Sequence, residues 1–85
     1  MPERFVMLLA AALIEMNRAW IALITDGAIE ADKHCEFARG LLKAAGKKLG
    51  DGHESILDAW DLVAELAGEI RKARTTDETQ QEATT

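Results

Sequence analysis

Two glycine-bearing turns constrain this chain more than any other feature. Thr25-Asp26-Gly27 and Gly50-Asp51-Gly52 divide it into three segments of nearly equal length, followed by a polar tail. Glycine adopts positive φ without steric penalty, so it ends helices and opens turns. Within each segment apolar residues recur every three or four positions, the period of a helix buried on one side. No segment alternates apolar and polar residues with the period of two that a half-buried strand requires. The expected fold is all-α, an up-down-up three-helix bundle, because short turns between equal helices make neighbours antiparallel. The competing layout is a long helical hairpin with a third helix packing in a homodimer.

The first helix is expected over about 3–25, with Pro2 at its start, where a missing N–H is harmless, and Gly27 as its C-terminal cap. At 100° per residue, Phe5, Leu9, Ala12, Leu13, Met16, Trp20 and Leu23 gather on one face, which should be the core face. The second helix is expected over about 28–49, with Ala31, Cys35, Ala38, Leu41, Leu42, Ala45 and Leu49 inward. Its acids lie early and its bases late, as the helix dipole prefers, and Gly46 is a point where it could end early. The third helix is expected over about 52–74, opened by a capping box of Asp51 and Glu54, with Ile56, Ala59, Trp60, Val63, Leu66, Ala67 and Ile70 inward. Residues 1–74 thus form a single helical domain. Residues 75–85 hold one alanine as their only apolar residue, too little to offset the entropy of ordering, so a disordered polar tail is expected.

At 85 residues the chain has room for one domain, which buries only about 60–65 % of its unfolded surface. Chains of this size often gain stability from a partner, a metal or self-association. A disulfide within the chain is impossible, since Cys35 is the only cysteine, and this points to a reducing, cytoplasmic setting. The apolar run 5–14 is shorter than the ~20 residues a bilayer span needs, and Glu15, Asn17 and Arg18 follow it. The start Met-Pro-Glu-Arg lacks the net positive charge of a signal peptide. No membrane association is expected. The net charge of −5 disfavours direct nucleic-acid binding, and the acid excess lies in residues 50–85.

Catalytic and cofactor chemistry finds little support. The stretch Gly40 to Lys48 superficially resembles a phosphate-binding loop, but five residues separate Gly40 from Gly46 where four are needed, and no strand precedes it. Glu30, His34, Cys35 and His53 are the only credible metal ligands. Glu30 and His34 lie one turn apart, whereas His34 and Cys35 project about 100° apart. Ser55 is the only serine and has no catalytic context. Glu15 sits among apolar residues that would raise its pKa, or it pairs with Arg18 three residues on. We therefore expect no enzyme, no cofactor and no metal.

Three surface features remain. Met7, Ile14 and Ile21, seven residues apart, lie roughly opposite the expected core face of the first helix, with Ala10 and Ala11 beside them. A helix at the edge of a bundle needs one apolar face, so a second one reads as a seam for self-association or a partner helix. Glu54, Asp58, Asp61, Glu65 and Glu69 fall in a narrow strip of the third helix, either a docking row for a basic partner or an ordinary solvated face. Arg39, Lys43, Lys47 and Lys48 form a basic group that shares its helix face with Asp32 and Glu36, which reads as solvated. The leading expectation is a protein–protein interaction module: an adaptor, inhibitor or assembly protein that binds another protein, with a homodimer as one form. The alternatives are an acidic regulator that occupies a basic nucleic-acid-binding protein, and a small metal-binding helical protein.

Overall fold

The computed structural model describes residues 3–50 and 52–84, and the side chains of 6–50 and 52–75. It is all-α: α1 spans Glu3–Thr25, α2 Ala28–Leu49 and α3 Glu54–Thr84. All three helices touch, as an up-down-up bundle requires, but unequally. α1 packs most extensively on α2, α3 lies mainly on α2, and α1 meets α3 least. The molecule is elongated, 57 × 20 × 14 Å.

Both glycine turns work as the sequence predicts. Gly27 has φ +104°, and the N–H groups of Asp26 and Gly27 both donate to the Ala22 carbonyl, at 2.6 and 2.8 Å. These bonds satisfy a carbonyl that the end of α1 would otherwise leave unpaired. The Gly27 carbonyl then accepts from the Ala31 N–H and starts α2. α2 runs through Gly46 to Leu49 and stops at Gly50, where φ is +110° and the N–H donates to the Gly46 carbonyl at 2.7 Å.

The start of α3 differs from the expected capping box. His53 is the capping residue: its Nδ1 accepts the Ser55 N–H at 3.2 Å, and its carbonyl accepts the N–H groups of Ile56 and Leu57 at 3.0 Å. Glu54 is therefore the first helical residue rather than the third, as a capping box would need, and Asp51 lies outside the described residues.

The end of α3 also departs from the expected tail. The helical backbone continues past Arg74 to Thr84. Nothing between 69 and 84 breaks a helix, neither glycine nor proline, and Ala73 still packs on the core. The Thr75 hydroxyl donates back to the Arg71 carbonyl at 3.0 Å, which lets a threonine sit inside the helix with its polar group satisfied.

The core is built from small residues where α1 meets α2. Ala12 and Ala19 of α1, seven apart, are fully buried, as are Ala31, Ala38 and Ala45 of α2, again seven apart. Two rows of alanine at one helical repeat let two antiparallel backbones approach closely, since interaxial distance follows side-chain size at the contact. Met16, Cys35 and Leu42 fill the space beside the rows. From α3, Ile56, Ala59, Val63, Leu66 and Ile70 are buried. Trp20 and Trp60 cover the edges of this core, half-buried.

This packing corrects the expected core face of α1. The helix is turned by roughly 50° from the orientation its large residues suggest. Ala19 and Ala22 point inward, while Leu13 is 42 % exposed. Phe5 lies outside the described side chains. The reason is the alanine row, which fits the facing row on α2 where a leucine would hold the helices apart.

Candidate protein-interaction surface

Turning α1 inward on its alanines leaves several of its large side chains outside. Ile14, Ile21 and Met7 lie within about 40° of the point diametrically opposite Ala12. They are 54, 52 and 68 % exposed. Val6, Leu13 and Ile24 are exposed too and widen the face on one flank. Among the described residues, six of the ten exposed large apolar side chains thus sit on this one helix, which makes α1 the surface that demands an explanation. A helix that is apolar all round is normally buried all round. Here only 22 % of the apolar stretch Val6–Thr25 is buried.

That stretch is also longer than the ten-residue run read from the sequence. At 20 residues and mean hydropathy 1.6 it is long and apolar enough to cross a membrane, by length and composition alone. Its charged residues, Glu15 and Arg18, fall near its middle, where a bilayer is least tolerant of charge.

Glu15, a carboxylate of α1, contacts α2. Its Oε2 lies 2.7 Å from His34 Nδ1, and its Oε1 accepts from Arg18 Nη1 at 2.8 Å. An ionised carboxylate only accepts, so His34 carries its proton on Nδ1. The hydrogen bond from His34 holds the Glu15 carboxyl below the usual range; it outweighs the opposing effect of burial, and the Arg18 guanidinium adds to the lowering. The Arg18 pairing is the one the sequence suggests. The raised pKa that apolar neighbours would produce is not found, because His34 arrives from the other helix.

The same contact separates the candidate metal ligands. His34 is bonded to Glu15, and Glu30 pairs instead with Lys33 at 2.9 Å. His53 spends Nδ1 on its capping role. Cys35 is buried in the core, and desolvation pushes its thiol pKa up, the opposite of what a reactive or metal-binding thiolate needs. Among the described residues no three His, Cys, Asp or Glu side chains gather as a metal site.

The acidic row of α3 faces outward. Glu54, Asp58, Asp61 and Glu65 are exposed, and Glu69 is half-exposed and pairs with Lys72 at 3.4 Å. On α2, Lys43, Lys47 and Lys48 are exposed, and Arg39 pairs with Glu36 at 3.0 Å. A cleft of about 310 Å³ lies between α2 and α3, above Cys35 and Ile70. Asp32, Glu36, Arg39, Arg71 and Arg74 line its rim. Two acids and three arginines share that rim, with Glu36 paired to Arg39, so both charge signs are present instead of one sign converging on a ligand.

Sequence reasoning locates Met7, Ile14 and Ile21 but misses Val6, Leu13 and Ile24, because the largest apolar residues of α1 point to a different core face from the one its alanines form. The missed indication was the heptad spacing of alanines shared by α1 and α2. Phe37, exposed on α2, is another apolar residue the sequence reading did not single out. Comparison with family models, curated proteins and solved structures finds no match to this chain.

Proposed function

We propose that this protein is a small non-enzymatic interaction module that binds another protein through the outer face of α1. One observation carries the reading: an apolar face of six large side chains on a helix whose opposite side is already satisfied by α2. Burying an aliphatic side chain from water is worth about 1.5–3 kcal/mol when complete. A half-exposed row of this kind therefore favours any partner that offers a complementary helix. A photo-crosslinking residue at Ile14, introduced in the producing cell, tests the reading. Covalent adducts to protein are expected there and not at Glu65. No adduct at Ile14 would sink the proposal.

The outward acidic row supports a second reading, a docking strip for a basic protein such as a nucleic-acid-binding one. Binding of that kind weakens steeply with added salt, whereas binding through α1 does not. A partner whose affinity is insensitive to salt and lost in Ile14→Glu selects the first reading.

A further inference from the structure

We propose that the partner of the α1 face is a second copy of this chain, packed antiparallel across a two-fold axis at Ile14; the inference rests on the α1 reading above. Three features argue for it. The first is the symmetry of the stripe. Met7 and Ile21 lie seven residues on either side of Ile14. An antiparallel pair therefore sets Ile14 against itself and Met7 against Ile21 of the second copy. In the same register Ala10 and Ala11 face the part of the second helix that holds Asn17 and Arg18, so two small residues meet two large ones. A parallel pair would instead set Arg18 against Arg18 and alanine against alanine, combining repulsion with a void.

The second feature is charge. Two copies at −5 each repel overall. The α1 face is where that repulsion is least. The only charged residues of Val6–Thr25 are Glu15 and Arg18, and they neutralise one another at 2.8 Å. The exposed face of α3, with its five acids, could not meet its own copy.

The third is area. Six large side chains, mostly half or more exposed, offer on the order of 500 Å² per copy. Two copies would bury on the order of 1,000 Å², the lower limit for a specific interface. Asn17, a polar residue among apolar ones, fits the role of fixing register at some loss of affinity.

The experiment is a dilution series by light scattering on the full chain, with Ile14→Glu, Ile14→Lys and an equimolar mixture of the two. The wild type should be a dimer that dissociates on dilution. Each variant alone should be a folded monomer, with association weakened at least about 100-fold by a charge meeting its like across the axis. The mixture should recover a dimer, since glutamate then faces lysine. On oxidation Ile21→Cys should form no covalent dimer alone but should cross-link to Met7→Cys. A dimer that persists in Ile14→Glu would overturn the proposal, as would a mixture that stays monomeric. A wild type monomeric throughout overturns it too. In that case photo-adducts at Ile14 to a different protein leave the α1 reading intact, whereas flotation of the monomer with lipid vesicles assigns the face to a bilayer and overturns both proposals.

Discussion

Replacing Ala38 with leucine asks whether the separation of α1 and α2 is set by alanine. Ala38 is fully buried in the middle of the α2 row, with Ala31 and Ala45 on either side. Helix propensity barely changes, because alanine and leucine are both strong helix formers. If the helices could part without loss, three added carbons would gain about 2 kcal/mol of burial. If the backbones are held close, leucine must displace α1 and disturb the core that Ala12, Met16 and Ala19 share with Ala38. Overpacking in a filled core costs about 1–3 kcal/mol, and a seam with alanine on both sides should sit at the upper end. We expect a net loss of about 2–3 kcal/mol. Urea melts followed by far-ultraviolet circular dichroism would measure it, at fixed protein concentration so that any association does not contribute. Ala64→Leu, on the exposed face of α3, is the control and should change stability by less than about 0.5 kcal/mol. An Ala38→Leu protein as stable as the wild type would refute the close seam.

Other perturbations test the turns and the polar contact. Glu15→Gln removes the charge that Arg18 and His34 share and should lower stability by about 1 kcal/mol at neutral pH. Because the folded Glu15 carboxyl titrates below its ordinary value, its contribution is present above the unfolded pKa of about 4.3 and fades as pH falls through the lower folded value. Urea midpoints taken between about pH 6 and pH 3 should therefore converge for wild type and variant on acidification; a constant gap would contradict this. Gly27→Ala forces a side chain into φ +104° and should cost at least about 1 kcal/mol, read as a lower melting temperature, even though open space surrounds the site. His53→Asp installs a stronger capping residue at the start of α3 and should raise the melting temperature, by about 0.5–1 kcal/mol of added stability; no change would show that α3 is not capped at 53.

Much of the architecture is legible in the chain because its punctuation is local. Gly27 and Gly50 end their helices through their own backbone conformations, which need no distant contact. The buried faces of α2 and α3 follow from periodicity, since Leu42, Ile56, Val63 and Leu66 are both apolar and large enough to register. The rotation of α1 is not legible in the same way. A pattern weighted by hydrophobicity follows Leu13 and Trp20, whereas packing follows the residues small enough to let two backbones meet. The stripe of Met7, Ile14 and Ile21 survives because its spacing is strict. The Glu15–His34 contact joins residues 19 apart, and only the antiparallel pairing of α1 with α2 brings them together. The cap at His53 competes in sequence with Asp51, a better capping type, and the backbone turn at Gly50 decides between them.

The alanine seam also bears on how stability responds to temperature. Among the described residues, eight of the fifteen buried apolar ones are alanine, so unfolding uncovers little hydrocarbon for each residue released. The heat capacity of unfolding scales with that uncovered apolar area. It should therefore fall below the usual ~12–15 cal/mol/K per residue. A small heat capacity change flattens the curve of stability against temperature. This bundle should lose little of its modest stability on cooling and unfold over a broad range on heating, with backbone hydrogen bonds supplying a larger share of its enthalpy than hydrocarbon does.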